Sequence, residues 1–163
     1  MDRHYYEAHT LTLARHPSET DERMMVRLLA FALHADPQLA FTKGLSADDE
    51  PDLWQRSLSG EIECWIEVGQ PDERRLRRAS GRAREVVVMT YSGRAADLWW
   101  QQNSAGLERL RNLRVVDLNS SESQALSRLV ERSMDLQCTI DGGEVWIGNE
   151  RETVALSPRL LQV

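Results

Sequence analysis

Residues 61–91 read EIECWIEVGQPDERRLRRASGRAREVVVMTY, a charged segment between two apolar ones. Glu61–Val68 alternates polar and apolar side chains and predicts a strand, whereas the almost continuously apolar Glu85–Tyr91 predicts a central strand covered on both faces. Between them, Pro71 and the two acids after it are typical of the start of a helix, which we expect to end near Gly81. A strand, a helix and a second strand in this order predict a right-handed parallel crossover.

The pattern of strands and helices continues on both sides of this stretch. It predicts an α/β fold with a mixed central sheet flanked by helices and with added antiparallel strands, in a single domain over residues 1–163. The further elements are a strand ending at Arg15, a helix from Ser18 to Ala35, a strand Leu39–Lys43, a short helical turn or edge strand at Leu53-Trp54, a helix Arg94–Leu110, a strand Arg114–Leu118, a helix Ser120–Met134, a hairpin of Gln137–Ile140 with Glu144–Ile147, and a strand Thr153–Leu156.

Composition limits the class of protein. The chain has 163 residues, a formal net charge of −6, 41% hydrophobic residues and 28% charged residues, which is the balance of a soluble globular protein. We expect it to be cytoplasmic and away from membranes, because it has neither an apolar signal core nor a run near the roughly 20 apolar residues of a membrane helix. Cys64 and Cys138 are expected to be reduced. The negative charge argues against tight, indiscriminate binding to nucleic acid.

Acidic side chains are concentrated before and within the first strand of the quoted stretch. Asp48, Asp49 and Glu50 are consecutive, and Glu63 and Glu67 share one face of the strand. Carboxylates are the ligands that Mg²⁺ prefers, so these acids are candidates for a metal site. Glu67 is the strongest of them, since it ends its strand where open α/β sheets bind ligands. The alternatives are an acidic surface loop and an amphipathic strand with its acids in water.

Basic side chains follow directly. Arg74, Arg75 and Arg78 lie on the predicted helix, close to a helix start that favours phosphate. Gln70 precedes that helix, and Lys43 is the only lysine of the chain. The alternative for the arginines is a solvated helix face, and for Lys43 an exposed strand end. No dinucleotide-binding, P-loop, nucleophile-elbow or paired-cysteine motif occurs in the sequence.

Four long and unusual segments carry a resemblance to a known family. They are LTLARHPSETDERMM (residues 11–25), GLSADDEPDLW (44–54), IECWIEVGQPDERR (62–75) and YSGRAADLWWQQN (91–103). With them the chain resembles the YaeQ family of small bacterial proteins over essentially its whole length. The resemblance implies the fold of the PD-(D/E)XK nucleases, the restriction-endonuclease-like superfamily. Because members carry a further strand before the segment that corresponds to residues 2–6, it also implies that this chain begins later than its relatives.

The chain departs from the nuclease motif at one position. The superfamily's Glu-x-Lys motif reads Glu67-Val68-Gly69, so the motif lysine is replaced by glycine. We recognise no plain Pro-Asp pair before this motif and assign the part of the motif aspartate to Asp49. Either Lys43 or an arginine of the helix at Arg74–Arg78 takes the place of the missing lysine, or the nuclease activity is lost.

Three functions follow from these residues. The first is a Mg²⁺-dependent nuclease or phosphodiesterase, and the second is a catalytically inactive protein of the same fold that binds nucleic acid or a transcription component. The third is an interaction protein whose acids are structural. For the first, the predicted metal ligands are Asp48, Asp49, Glu63 and Glu67, the predicted catalytic residues are Lys43 and Gln70, and the predicted phosphate-binding residues are Arg74, Arg75 and Arg78.

Overall fold

The computed structural model describes residues 19–42, 50–131 and 134–162. The predicted strand ending at Arg15 lies outside these ranges. Within them the chain forms four helices and nine strands. In chain order these are α1 (Asp21–Leu33), β1 (Leu39–Phe41), β2 (Leu53–Arg56), β3 (Ile62–Val68), α2 (Glu73–Arg82), β4 (Ala83–Thr90), α3 (Arg94–Leu107), β5 (Leu113–Asp117), α4 (Ser120–Ser127), β6 (Gln137–Asp141), β7 (Glu144–Gly148), β8 (Thr153–Leu156) and β9 (Arg159–Gln162).

The strands form two sheets. The central sheet has the order β1-β2-β3-β4-β5-β9, and the second has the order β6-β7-β8. Strands β3, β4 and β5 are parallel, whereas β1, β2 and β9 pair antiparallel to their neighbours. The predicted α/β fold, with a mixed central sheet flanked by helices and added antiparallel strands, is therefore confirmed.

The two faces of the central sheet are covered by different elements. Val87 and Met89 of β4 join one buried cluster with α1, α4 and the second sheet. Val86 and Val88 join a second cluster with Leu76 of α2 and with α3. The alternating residues of β4 thus enter opposite cores, which confirms that this apolar strand is covered on both faces.

Several element boundaries differ from the prediction. Helix α1 begins at Asp21, because Thr20 caps it by accepting a hydrogen bond from the Arg23 N–H. Helix α4 ends at Ser127, well before Met134. Strand β9 was not predicted, because four residues after a proline carry too little pattern for a strand. No helix of the described ranges is both long and apolar enough to cross a bilayer.

Both cysteines are free thiols, Cys64 in β3 and Cys138 in β6. Burial, with a smaller contribution from the charge of Glu85, raises the pKa of Cys64 to about 12, whereas Arg114 opposes the shift. Because the thiolate is the nucleophile, we expect native Cys64 to be far less reactive than an exposed thiol towards iodoacetamide at pH 8. Mass spectrometry of the native and urea-unfolded protein measures this. Equal alkylation rates at Cys64 in the two states would contradict the expectation.

Candidate functional site

Two acidic residues are brought together where β2 begins and β3 ends. Leu53 of β2 pairs with Ile66 of β3, so the residues immediately beyond this pair, Asp52 and Glu67, lie at the same end of the hairpin. The Asp52 N–H donates to the Ile66 carbonyl at 3.1 Å. Because β3 runs parallel to β4, this end is also the carboxyl end of the parallel strands, where open sheets bind ligands. Asp52 and Glu67 are 6% and 5% exposed.

The Asp52 carboxylate joins helix α1 to the end of β3. One of its oxygens accepts a hydrogen bond from Arg23 Nη2 at 2.8 Å, and the other accepts one from the Val68 N–H at 2.8 Å. The same Arg23 nitrogen donates to the Val68 carbonyl at 3.1 Å. Asp52 is therefore both ion-paired and hydrogen-bonded to the backbone.

The Glu67 carboxylate is held from the other face of the sheet. Arg75 Nε of α2 lies 2.9 and 2.8 Å from its two oxygens, and the Trp65 indole N–H donates to it at 3.2 Å. Burial raises the pKa of Glu67 above its usual value, and the charge of Asp52 adds to the shift. Arg75 and Trp65 oppose it. The contribution of Asp52 to this shift agrees with the position of the two carboxylates at the same end of the hairpin.

A third buried carboxylate extends the site along α1. Glu19 accepts hydrogen bonds from Arg23 at 2.8 Å and from Arg27 at 2.8 and 2.7 Å. Arginines and carboxylates thus alternate from Arg27 through Glu19 and Arg23 to Asp52. We call the six side chains of this region the carboxylate–arginine site, with the members Glu19, Arg23, Arg27, Asp52, Glu67 and Arg75.

Gly69 and Gln70 connect this site to α2. Gly69 has a φ of +108°, and its N–H donates to the Met89 carbonyl at 2.9 Å. Such a φ strongly favours glycine, so a lysine at this motif position would strain the backbone. The Gln70 side-chain amide donates to the Tyr91 carbonyl at 2.5 Å. Gln70 is exposed and lies three residues after Glu67, and its catalytic role stays a prediction.

The structure separates Glu63 from Glu67. Four residues of strand place the two about 13 Å apart. The nearest cation to Glu63 is the exposed Arg84, at 3.6 Å. Glu63 therefore lies outside the carboxylate–arginine site.

The three arginines predicted to bind phosphate are divided in the same way. Arg75 enters the site, whereas Arg74 and Arg78 are exposed on the outer face of α2. Lys43, Asp48 and Asp49 lie outside the described residues, and their roles stay predictions.

Sequence reasoning missed Asp52, although a signal for it was present. Pro51-Asp52 is a Pro-Asp pair directly before a strand, 15 residues before Glu67. The arginines of α1 carried no comparable signal, because their roles depend on how α1 packs against β3. Glu19, Arg23 and Arg27 were therefore missed as well.

Asp52 and Glu67 are compatible with a divalent cation whose other ligands are water and substrate phosphate. Among the described residues, no group of three or more His, Cys, Asp and Glu side chains is arranged to hold a metal. Mg²⁺, however, is usually held by one or two carboxylates together with waters and substrate phosphate. Asp52 and Glu67 meet that requirement, although each is paired with an arginine in this structure.

Comparison with known proteins gives consistent matches over almost the whole chain. A family model described as "YaeQ protein" matches residues 1–158. The YaeQ protein of Escherichia coli (strain K12) is 45% identical over 157 residues, which cover 96% of this chain and 87% of that protein. The crystal structure of the YaeQ protein from Xanthomonas axonopodis pv. citri has a TM-score of 0.94 at 51% identity, covering 98% of this chain and 90% of the other. The YaeQ structure from Pseudomonas syringae has a TM-score of 0.92 at 35% identity, covering 98% and 88%.

Proposed function

The chain belongs to the YaeQ family, and from that premise we propose that it is a Mg²⁺-dependent nuclease of the PD-(D/E)XK type with a restriction-endonuclease-like fold. One observation carries the proposal. Asp52, directly after Pro51 and just before β2, lies beside Glu67 of the antiparallel neighbour β3, at the carboxyl end of that strand. In this proposal Asp52 takes the place of the motif aspartate that the sequence analysis assigned to Asp49.

The residues of the site have separate roles in this mechanism. Asp52 and Glu67 would hold Mg²⁺, which when bound stabilises charge on the phosphate and makes water a stronger nucleophile. Arg23 and Arg75 exchange their carboxylate partners for the oxygens of the substrate phosphate, which guanidinium groups bind well. Gln70, held by the Tyr91 carbonyl through its amide nitrogen, accepts a hydrogen bond from the attacking water through its amide oxygen and so orients it.

The energetics of Glu67 support a functional role. A carboxyl whose pKa is raised in the folded protein costs stability when it is ionised at neutral pH. Buried acids that carry such a cost are concentrated at functional sites.

A second candidate function has one observation in its favour. Asp52 and Glu67 are each neutralised by an arginine, Arg23 and Arg75. A catalytically inactive protein that binds nucleic acid or a transcription component needs no metal and can keep these ion pairs closed. This candidate therefore predicts binding without cleavage and without dependence on a divalent cation.

The nuclease proposal predicts that Glu67→Gln and Asp52→Asn each lower cleavage about 100-fold or more, because each removes a charged ligand of the metal that would stabilise charge on the phosphate. Cleavage is measured on labelled single- and double-stranded DNA and RNA with Mg²⁺ or Mn²⁺. Calorimetric titration of Mn²⁺ in the presence of a phosphorothioate oligonucleotide measures metal binding in parallel. Glu63→Gln is the matched control, since Glu63 lies on the same strand but outside the site.

Each result has a defined meaning. Cleavage that survives both substitutions, or that is lost equally in Glu63→Gln, contradicts the assigned residues. Absence of metal binding and of cleavage on all four substrates contradicts the nuclease proposal. Metal-independent binding of an oligonucleotide in that case supports the second candidate.

A further inference from the structure

The parallel strands have a second polar region at their amino ends. A cavity of about 710 Å³ opens there, beyond the end of α1. It is formed by the first residues of β4 and β5, the middle of β2 and the segment after α1. The polar side chains that line it include Gln55, Arg84, Glu85, Arg111 and Arg114.

A row of side chains crosses four neighbouring strands and forms the floor of this cavity. Gln55 of β2 pairs with Cys64 of β3, and Cys64 pairs with Glu85 of β4. Arg114 Nη1 of β5 lies 3.2 Å from Glu85 Oε1. Helix α1 ends at Leu33, so this part of the sheet face is lined by polar groups rather than covered by an apolar helix.

The guanidinium groups around the cavity have unused donors. Arg84 is exposed, and its nearest carboxylate, Glu63, is 3.6 Å away. Arg111 is exposed and forms no ion pair within the part of the chain that the structure describes. The buried Nη1 of Arg114 has no hydrogen-bond acceptor there, because its contact with Glu85 is close but poorly aligned.

From this arrangement we propose that the cavity binds a small phosphorylated polyhydroxy compound, a sugar phosphate. Arg84 and Arg111 bind the phosphate, since guanidinium forks match its oxygens. Glu85 and Gln55 accept hydrogen bonds from the hydroxyl groups of the ligand. The volume falls within the range of about 300–1,000 Å³ that is typical of small-molecule sites.

The lining favours a sugar over a nucleobase. Among the described residues that line the cavity there is no Phe, Tyr or Trp, and the only ring is the imidazole of His34. A nucleobase gains most from stacking on an aromatic ring. Hydroxyl groups gain instead from carboxylate and amide acceptors, and Glu85 and Gln55 provide one of each in this cavity.

The proposal is tested by calorimetric titration of ribose 5-phosphate into the wild-type protein, without divalent cations so that the result is independent of the nuclease proposal. We expect a Kd below about 1 mM. Arg84→Gln and Arg111→Gln are each expected to weaken binding about tenfold, the usual effect of losing one charge-assisted contact. Arg128→Gln is the matched control, because Arg128 is also exposed but lies at the end of α4. Ribose and inorganic phosphate, each a part of the ligand, are expected to bind at least about tenfold more weakly than ribose 5-phosphate.

The outcomes separate the possible ligands. No binding of ribose 5-phosphate overturns the proposal, and so does binding that is equal in wild type, Arg84→Gln and Arg111→Gln. If inorganic phosphate binds as tightly as ribose 5-phosphate, the cavity recognises only the anion and the sugar-phosphate proposal is overturned. Adenosine monophosphate that binds more tightly would show that a base, not a sugar, is recognised. Circular dichroism of each variant confirms that it is folded.

Discussion

Replacing Glu19 with leucine is expected to lower the free energy of unfolding by about 3–5 kcal/mol, the cost of removing one partner from a buried ion pair. Glu19 is 4% exposed and lies 2.7–2.8 Å from nitrogens of Arg27 and Arg23. Arg27 is equally buried, so its charge loses this carboxylate without gaining water. Urea unfolding followed by tryptophan fluorescence measures the change.

The matched control is Glu131→Leu. Glu131 pairs with Arg151 on the surface, where both side chains are exposed. Because surface ion pairs contribute little, this substitution is expected to change the free energy of unfolding by at most about 1 kcal/mol. Similar losses in the two variants would contradict the structural role of Glu19.

The contribution of Glu19 is also expected to depend on pH. Burial opposes its ionisation, but Arg27 and Arg23 outweigh burial and hold the pKa of the carboxyl below its ordinary value of 4.5. A lowered pKa contributes stability that is complete above the ordinary value and is lost as the pH falls through the lowered one. The difference in stability between wild type and Glu19→Leu should therefore shrink below about pH 4.5. A difference that stays constant from pH 7 to pH 3 would contradict this assignment.

Replacing Trp65 with alanine is expected to have a comparable effect, a loss of about 3–5 kcal/mol. Trp65 is 2% exposed, contacts Trp54 edge-on with ring centroids 6.3 Å apart, and lies 5.1 Å from the Arg82 guanidinium. Its removal leaves a cavity between the central sheet and α2. The free energy of unfolding in urea is again the measurement.

Two further variants separate the functions of this side chain. Trp65→Phe keeps an aromatic ring but removes the N–H that donates a hydrogen bond to Glu67. It should therefore lower the stability less than alanine does and raise the pKa of Glu67 further. Trp100→Ala truncates a half-buried tryptophan of α3 and is the matched control. A smaller loss in Trp65→Ala than in Trp100→Ala would show that Trp65 is not the core residue that the structure describes.

The central strands could be predicted from the sequence because their patterns are local. Glu61–Val68 alternates and Glu85–Tyr91 is apolar throughout, and both form strands at these positions within one or two residues. Strand β9 could not be predicted, since its four residues become a strand only by pairing with β5. Its formation depends on a partner more than 40 residues away.

The candidate site was predicted only in part, because only those of its residues that belong to a local pattern could be recognised. Glu67 was recognisable because its position follows from the end of one strand. The position of its neighbour Asp52 depends on the antiparallel pairing of β2 with β3. Which arginines reach the site depends on the rotational phase of their helices. Arg75 faces Glu67 whereas Arg74, one residue earlier, faces solvent. A rotation of about 100° per residue decides which arginine reaches the site, and composition contains no information about it.

The short outer strands of the central sheet have a consequence for association between molecules. Among the strands of the described residues, β1 has three residues and β9 has four, so the six-stranded order has a short strand at each end. Long unpaired edges are templates on which other chains add strands and start aggregates. Here the aggregation-prone apolar segment of β4 is shielded by two strands on one side and three on the other. Within the described residues, the apolar segment of β4 therefore lies in the interior of the central sheet and not at either of its outer strands.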